Sequence, residues 1–582
     1  MGICRDGPDR QEKKLGGNRA VLFVYAMEGL ENMAFVSNAL SLVTYFYGYM
    51  NFSLTKSATS LTNFMAFSFL LALFGGFISD TFLSRFKTAV LFGCIEVLGY
   101  GLLTVQAHFH QLTPVPCKGV APDQTNQCES ATGSQEAFLM VGLYLVALGT
   151  GGIKASLPSL GADQFDQNDP KEAAQLSSFF NWFLFSLTSG SIFGVTFLVW
   201  ISTNQGWDLS FGVCTLAVFF AVVFLCMGKS LYRIHLPKGS PLLRIAQVFV
   251  AAIRNRHLPV PQMIDELHEN HDRDTGKQDE ILKRTDQFRF LDRAATVRTN
   301  MNGASTSTNS TGPWNLCTVT QVEETKILLR MLPIILSTVF MNTCLAQLQT
   351  FTIQQSTTMD TNLLGFHIPG PSIPVIPLLF IFVLVPLYDR IFVPIARKIT
   401  GIPTGIRHLQ RIGVGLVLSA ISMAVAGVVE THRKSVAIKH NMVNSTDPLP
   451  MSVFWLGFQF AIFGAADMFT LIGLLEFFYS ESSAGMKSMG TAISWSSVAI
   501  GFFISSATVE IVNKVSGGWL ASNNLNRDKL NYFYWLLAGL SVANFGLYLI
   551  CSSWYKYKTV EVKRVENSGD GDDKGKITLV EV

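Results

Sequence analysis

Long apolar runs constrain this chain more than any other feature of its sequence. About 20 mostly apolar residues suffice for a helix to cross a bilayer. Twelve runs of about that length fall into two groups of six, at about 20–48, 59–83, 88–108, 137–160, 177–200 and 210–228, and at about 324–350, 372–396, 408–430, 451–479, 486–512 and 530–554. The runs predict an all-α membrane protein with twelve transmembrane helices in two six-helix bundles.

Composition supports a protein embedded in a lipid bilayer. Hydrophobic residues make up 49% of the 582 residues and charged residues only 15%, against roughly 25% charged residues in soluble domains. The net charge is +3, and the basic residues flank apolar runs instead of forming one basic face, so no nucleic acid partner is expected. Residues 1–19 lack the apolar core of a secretory signal peptide, so the first span is expected to direct insertion.

The sequence divides into five segments. They are an N-terminus at 1–19, a first bundle at 20–228, a linker at 229–320, a second bundle at 321–554 and a tail at 555–582. Because cytoplasmic loops carry the excess of Lys and Arg, both termini are predicted to be cytoplasmic. The flanking basic residues used are Lys13, Lys14, Arg19, Arg85, Lys87, Arg390, Arg397, Lys398, Arg407 and Arg411. The loops at 431–450 and 513–529 also carry a few, so the rule holds in bulk and not loop by loop.

The predicted loops suggest several local features. Residues 241–256 form an amphipathic segment expected to lie along the membrane surface, and the rest of the linker reads as a tether, or alternatively as a regulatory domain. Cys117 and Cys128 share one external loop and are predicted to form a disulfide. Sequons at Asn51 and Asn444 fall outside, whereas the sequon at Asn309 falls inside. The remaining cysteine spacings suggest no metal site, and no cofactor is expected.

A charged turn between spans two and three carries the first functional motif. The string Gly-Phe-Ile-Ser-Asp-Thr-Phe-Leu-Ser-Arg-Phe-Lys at 76–87 places Asp80, Arg85 and Lys87 in a short cytoplasmic turn. It resembles the loop signature of major facilitator transporters, whose two halves rock around a midplane site. Asp80 is then expected to pair with Arg85 or Lys87 at an inner gate. A merely solvated turn is the alternative.

Four of the ionisable residues within the predicted spans are the candidate transport machinery, because an unpaired charge there costs about 2.5–3.5 kcal/mol on insertion scales. Glu28 and Glu31 share one face of span one, Lys154 lies near the end of span four, and Glu476 near the end of span ten. If all four line one cavity, they sum to minus two when ionised, so the site is expected to hold protons. The alternatives are a structural salt bridge to Lys154 and, for Glu476, contact with interfacial water.

Several strings together resemble the plant nitrate/peptide transporter family, part of the proton-coupled oligopeptide transporter superfamily. They are Gly-Thr-Gly-Gly-Ile-Lys-Ala-Ser at 149–156, Gly-Ala-Asp-Gln-Phe-Asp at 161–166, Phe-Phe-Asn-Trp-Phe at 179–183, Leu-Glu-Phe-Phe at 475–478 and Met-Lys-Ser-Met at 486–489. In that family span one carries Glu-x-x-Glu followed by Arg or Lys. Here Asn32 replaces the cation, so the two carboxylates depend more on Lys154.

The same resemblance bears on the substrate. Leu345 stands before Ala-Gln-Leu at 346–348, where the best-known nitrate carrier has a histidine, which disfavours high-affinity nitrate transport. Gln347 and Asn342 remain as polar groups for substrate, or else as interhelical hydrogen-bonding groups. The strings at 28–36, 348–351 and 371–377 resemble the abscisic acid importer branch, some members of which also carry gibberellin or nitrate.

Abscisic acid is a weak carboxylic acid with an apolar ring. The resemblance implies that Lys154 holds its carboxylate while Trp182 and Trp495 pack its ring, with core packing as the alternative for each tryptophan. Asn32 and Glu476 are also expected among the substrate-binding residues. Thr88 resembles the phosphorylation position of the nitrate carrier, which would make a protein kinase a partner; an ordinary threonine near a helix N-terminus is the alternative.

The predicted function is import of abscisic acid, or a related hormone acid such as gibberellin, across the plasma membrane by proton-coupled alternating access. A low-affinity nitrate transporter and a ligand sensor without net flux remain as alternatives. No nucleophile–base pair or metal-ligand spacing occurs within the spans, so an enzyme is not expected.

Overall fold

The computed structural model describes most of the chain. The described residues are 15–52, 54–115, 130–131, 133–166, 169–237, 239–259, 267–268, 282–297, 312, 314–363, 366–367, 375–402, 404–445, 448–483, 485–520, 525–563 and 577–581. Cys117, Cys128 and Asn309 lie outside these residues, so the predicted disulfide stays a prediction.

Eight helices form the first half of the molecule. They are α1 (Asn18–Gly48), α2 (Leu54–Leu70), α3 (Ala72–Thr81), α4 (Arg85–His108), α5 (Ser134–Ala162), α6 (Pro170–Phe193), α7 (Val199–Asn204) and α8 (Trp207–Met227). α2 and α3 together cross the bundle once, and a π-helical turn at Gly194–Leu198 joins α6 to α7 in another crossing. Six crossings result.

The second half repeats this arrangement after a short linker helix, α9 (Pro241–Arg254). Its helices are α10 (Val319–Thr357), α11 (Val375–Leu387), α12 (Val393–Thr400), α13 (His408–Lys439), α14 (Trp455–Glu481), α15 (Lys487–Ser516) and α16 (Leu530–Trp554). A π-helical turn at Tyr388–Phe392 joins α11 to α12. Twelve helices in the described residues are long and apolar enough to cross a membrane, which confirms the predicted number.

Three small two-stranded sheets lie outside the crossings. β1 (Met359–Asp360) pairs in parallel with β4 (Leu449–Ser452), and β2 (Asn362–Leu363) pairs antiparallel with β3 (Phe366–His367). β5 (Thr559–Lys563) pairs antiparallel with β6 (Ile577–Glu581) in the tail.

The sequence placed the end of the ninth span too early, at about 430. In the structure α13 continues to Lys439. The reason is a buried ion pair: the Arg433 guanidinium donates to both carboxylate oxygens of Glu430, at 2.8 and 2.7 Å. The ion pair allows Glu430 and Arg433 to remain buried inside the helix bundle. The sequence shows only two charged residues, which suggested that a loop begins there.

The bundle has two ends, a linker end and a far end. The linker end carries Gly17, Arg85 and Trp554, next to the linker, and the far end carries Gly48 and Lys439. The most extensive contacts between the halves join α3 to α15 and α6 to α11. Many of the outward-facing side chains of α8 are large and apolar, such as Leu216, Phe219 and Phe220, as expected for a surface in contact with lipid.

Glycines allow several helices in the first half to approach closely. A Cβ atom on Gly190 of α6 would lie 1.9 Å from the carbonyl oxygen of Gly29 on α1. That oxygen belongs to the backbone and cannot move aside like a side chain. Gly29 lies between the two glutamates of α1, so this contact also fixes their position.

We expect Gly190→Ala to destabilise the folded protein by about 1–3 kcal/mol, the usual cost of overpacking. Gly539→Ala on α16 is the matched control because its Cβ would meet no atom within 4 Å. Thermal unfolding of the purified variants measures the difference. Equal melting temperatures for the two variants would contradict the packing described here.

Candidate functional site

One lysine lies at the centre of the first half, among carboxylates. The Lys154 ammonium is 3.5 Å from Glu31 Oε2 and donates to Asn32 Oδ1 at 3.3 Å. The Asn32 amide in turn donates to Glu28 Oε1 at 2.7 Å. All four side chains are buried. The structure therefore joins Glu28, Glu31, Asn32 and Lys154 into one network, with Asn32 linking the lysine to the carboxylate it does not contact directly.

A third carboxylate, which the sequence analysis missed, belongs to the same region. Glu96 of α4 is buried and accepts a hydrogen bond from Thr150 at 3.0 Å, one turn before Lys154 on α5. One oxygen of each glutamate, Glu28 Oε2, Glu31 Oε1 and Glu96 Oε2, is buried without a hydrogen-bond partner in the structure. Three carboxylates and one lysine thus sum to minus two when all are ionised.

Aromatic rings cover the lysine. The ammonium lies 5.1 Å from the ring centroids of both Phe35 and Trp495, within cation–π distance. Phe69 stacks on Trp495 with ring centroids 5.7 Å apart. Trp495 comes from α15 in the second half, so this contact joins the halves. Its indole N–H is buried and has no hydrogen-bond partner in the structure.

The charged turn that was predicted to be a gate joins the two halves at the linker end. Asp80 accepts hydrogen bonds from the backbone N–H of Met489 at 2.8 Å and of Ser488 at 3.4 Å, the first turn of α15. A carboxylate at a helix N-terminus is favourable because unpaired N–H groups and the helix dipole meet it there. Arg85 donates to the Ser488 hydroxyl at 3.0 Å. Charges of one half therefore hold the other half.

Asp163, just beyond the end of α5, belongs to the same contact between the halves. It pairs with Arg85 and accepts a hydrogen bond from the Tyr479 hydroxyl at 2.8 Å. Burial alone would raise the pKa of Asp163, but the positive charge of Arg85, with smaller effects from Lys487 and His235, holds that pKa below its ordinary value. Asp163 was given no role from the sequence, although it lies within the Gly-Ala-Asp-Gln-Phe-Asp string at 161–166.

A second contact between the halves surrounds Asp389, in the π-helical turn after α11. Its carboxylate accepts hydrogen bonds from Asn181 at 2.8 Å and from the Trp182 indole N–H at 3.1 Å. Asn181 also accepts from Arg411 at 2.7 Å, and Arg411 donates to Glu476 at 3.2 Å. These contacts extend the closed linker end from α3 and α15 to α6, α11 and α13.

Some predicted site residues occupy places other than the lysine network. Glu476 contacts Arg411 and, at 3.6 Å, His408 instead of Lys154. Trp182 serves the contact with Asp389. Asn342 donates to Ser497 at 3.1 Å and Gln347 to Ser505 at 2.7 Å, so both join α10 to α15. The structure thus gives these two amides interhelical hydrogen bonds.

The remaining predicted residues lie at the two ends of the bundle. Lys87 is exposed and has no partner among the described residues. The Thr88 hydroxyl is buried and donates to the Ser84 carbonyl at 3.2 Å. Asn51 and Asn444 follow the far ends of α1 and α13, so both sequons lie at the same end of the bundle.

One further intramembrane carboxylate was missed. Asp467 of α14 lies in the second half, and no hydrogen bond or ion pair engages it within the described part of the chain. The rule that identified Glu28 applies equally to Glu96 and Asp467, because both are acidic residues inside apolar runs. A complete search of the twelve runs for charges would have found both.

Sequence comparison decides the family. The sequence profile described as the POT family matches residues 86–525. The chain belongs to the POT family. Members of the family are transporters, so this chain is a transporter and not an enzyme. It is 44% identical over 547 residues to Protein NRT1/ PTR FAMILY 4.5 of Arabidopsis thaliana, covering 93% of this chain and 94% of that protein.

Other relatives agree with this assignment. Protein NRT1/ PTR FAMILY 4.6 of Arabidopsis thaliana is 43% identical over 560 residues, covering 94% of this chain and 95% of that protein. Among solved structures, the POT family transporter PepTSo matches with a TM-score of 0.59 at 17% identity, covering 93% of this chain and 99% of the other. An auto-inhibited POT family peptide transporter matches with a TM-score of 0.57 at 17% identity, covering 95% and 99%. These structures confirm the predicted major facilitator fold.

We expect Asp163→Asn to loosen the linker end at every pH between 5.5 and 7.5. A lowered pKa means that the ionised pair with Arg85 contributes fully above the ordinary value of about 3.9 and is lost only as pH falls through the lower value. Loss of a charge-assisted contact costs about 1.5–3 kcal/mol, so the fraction of molecules with an open linker end should rise roughly tenfold or more. The measurement is labelling of Ser159→Cys, at the contact between α5 and α15, by an impermeant maleimide added at the linker end.

Asp169→Asn is the control, because Asp169 caps the start of α6 and asparagine caps helices equally well. Labelling that rises to the same extent in both variants would contradict a specific gate. A difference in labelling between Asp163→Asn and the chain with Asp163 intact that disappears as pH falls from 7.5 to 5.5 would contradict an Asp163–Arg85 pair that stays ionised.

Proposed function

We propose that this protein imports abscisic acid, a small carboxylic acid with an apolar ring, across the plasma membrane by proton-coupled alternating access. The observation that carries the proposal is the environment of Lys154: a buried ammonium on α5, 5.1 Å from the ring centroids of Phe35 and Trp495, where the Trp495 indole N–H has no hydrogen-bond partner among the described residues. This combination suits an anionic group attached to an apolar body.

Each part of the site has a partner in such a substrate. The Lys154 ammonium sits 3.5 Å from Glu31, at the long end of hydrogen-bonding distance, so a substrate carboxylate can compete for it. Phe35, Phe69 and Trp495 pack against one another in this structure, and they would present apolar faces to the substrate ring once they move apart. The Trp495 N–H can donate to an oxygen of the substrate and so gain the partner that it lacks.

Proton coupling follows from the charge balance of the same network. When a substrate carboxylate binds Lys154, Glu31 loses its counter-ion and Glu28, Glu31 and Glu96 face a fourth negative charge. Burying that charge uncompensated costs far more than taking up protons. The three unpaired carboxylate oxygens are places where such protons can be held.

The direction of transport rests on orientation. The linker end carries Arg85, Lys87, Arg390 and Arg407, which the positive-inside rule places in the cytoplasm together with both termini. The far end then faces outward and carries Asn51 and Asn444. In this orientation the contacts of Asp80, Arg85 and Asp389 lie on the cytoplasmic side, and import requires that substrate enter from the far end.

Regulation by a protein kinase at Thr88 belongs to the same proposal. The hydroxyl is buried at the start of α4, three residues from Arg85. A kinase therefore needs a conformation in which the gate is open. A phosphate added there would compete with Asp163 for Arg85.

We expect saturable uptake of labelled abscisic acid in cells or proteoliposomes that contain the protein, and loss of most of it, roughly tenfold or more, in Lys154→Ala. Trp495→Phe keeps the ring and removes the N–H, so KM should rise about fivefold, the effect of one neutral hydrogen bond. The controls are Lys171→Ala, at the start of α6, and Trp200→Phe on α7, whose ring faces outward.

Other results would redirect the proposal. Uptake equal to that of empty cells would remove abscisic acid as a substrate. Nitrate flux that depends on Lys154 would then favour the low-affinity nitrate transporter, because a small anion needs only the ammonium. Saturable binding of abscisic acid without any flux would favour a ligand sensor.

We expect Glu28→Gln to abolish the stimulation of net uptake by an acidic exterior while exchange of internal for external substrate continues. The glutamine is isosteric, keeps a carbonyl oxygen for Asn32 and cannot carry a proton. Uptake at pH 5.5 and pH 7.0, corrected for passive entry, is compared with exchange at one pH. Acid stimulation that survives unchanged would exclude Glu28 from the coupling mechanism.

A further inference from the structure

A groove on the outside of the second half has the features of a lipid site. It lies between α13 and α16 at the linker end and has a volume of about 640 Å³, within the range of ligand pockets, about 300–1,000 Å³. Val414 and Leu549, on its walls, are partly exposed on the outer surface of the bundle. The groove therefore opens toward the bilayer and is separate from the Lys154 network.

The walls of the groove are apolar along its length and polar at one end. The part of the groove farther from the linker is lined by Val414, Val417, Leu418 and Phe545. Arg407, which precedes α13, and Ser552 and Ser553, in the last turn of α16, line the end nearest the linker. Trp554, exposed at that same helix end, is the type of residue that marks a membrane interface.

The length of the groove matches one leaflet. Arg407, just before α13, and Leu418 on α13 are eleven positions apart. This is roughly 16 Å at about 1.5 Å per residue. Half of a hydrocarbon core of about 30 Å is about 15 Å. An acyl chain lying along the groove would thus have its glycerol and phosphate near Arg407.

The charge at the polar end favours an anionic group. Arg407 is exposed, lies 6.0 Å from the Tyr557 ring, and its guanidinium makes no hydrogen bond or ion pair with any described residue. Among the described residues that line the groove there is no carboxylate. Arginine binds phosphate by two parallel hydrogen bonds. The Ser552 and Ser553 hydroxyls donate to the carbonyls of Leu549 and Ile550 in this structure and would have to rotate to donate to a phosphate.

We propose that the groove between α13 and α16 is a binding site for an anionic glycerophospholipid of the cytoplasmic leaflet, with its phosphate on Arg407 and an acyl chain along Val414, Val417 and Phe545. Basic pockets between transmembrane helices on the cytoplasmic side are suited to such headgroups. Arg411 of the gate lies one turn beyond Arg407, so the lipid would bind at the helix end that contacts Asn181.

The test is native mass spectrometry of the purified full-length protein, titrated with dioleoyl phosphatidylserine or dioleoyl phosphatidylcholine. We expect one phosphatidylserine to bind with about fivefold higher affinity than phosphatidylcholine, the effect of one basic residue near a lipid headgroup. Arg407→Gln should remove this preference. Val417→Trp, which fills the groove, should weaken binding of both lipids, and Leu549→Trp serves the same purpose if that variant is not monodisperse.

Lys398→Gln is the matched control, since Lys398 is an exposed cation at the same end of the bundle and outside the groove. An equal loss of phosphatidylserine binding in Arg407→Gln and Lys398→Gln would show adsorption by general charge and overturn the proposal. Unchanged binding in both the Arg407 and the groove-filling variants would overturn it as well. Full competition by millimolar inorganic phosphate would show a simple anion site and not a lipid site.

Discussion

A buried ammonium cannot remain in the interior of a membrane bundle without compensation, and much of this structure is arranged around that constraint. Lys154 obtains its compensation from α1, through Glu31 and Asn32, and from the rings of Phe35 and Trp495. The carboxylates around Lys154 can carry more negative charge than its ammonium neutralises, because Glu28 and Glu96 lie in the same region. An excess of negative charge that varies with bound protons and substrate is what a proton-coupled carrier of anions requires.

The replacement of the family's cation by Asn32 is less disruptive in the structure than in the sequence. An arginine or lysine at this position would neutralise one carboxylate outright. Asn32 instead donates to Glu28 and accepts from Lys154, so one neutral side chain connects the two charged groups. The carboxylates keep one fewer counter-ion, and Lys154 therefore responds more strongly to any change in their protonation.

Sequence reasoning predicted the twelve spans because lipid imposes a minimum length and an apolar composition that a reader can recognise directly. It predicted the first-half network because Glu28, Glu31 and Lys154 are charges inside such runs. It did not predict that Glu476 would pair with Arg411, because spacing along one helix says nothing about which helix lies opposite. The roles of Asp163 and Asp389 depend in the same way on contacts between the two halves, which only the folded structure provides.

The two functional regions share one rigid element. The first turn of α15 receives Asp80 and Arg85 at Ser488 and Met489, and Trp495 follows two turns later on the same helix. Seven residues of helix span roughly 10 Å, so the ring over Lys154 and the gate at the linker end cannot move independently unless α15 bends. Thr491, between them, donates to the Ala155 carbonyl at 2.7 Å, next to Lys154. A displacement of Trp495 would therefore act on the same helix whose N-terminus contacts Asp80 and Arg85 at the linker end.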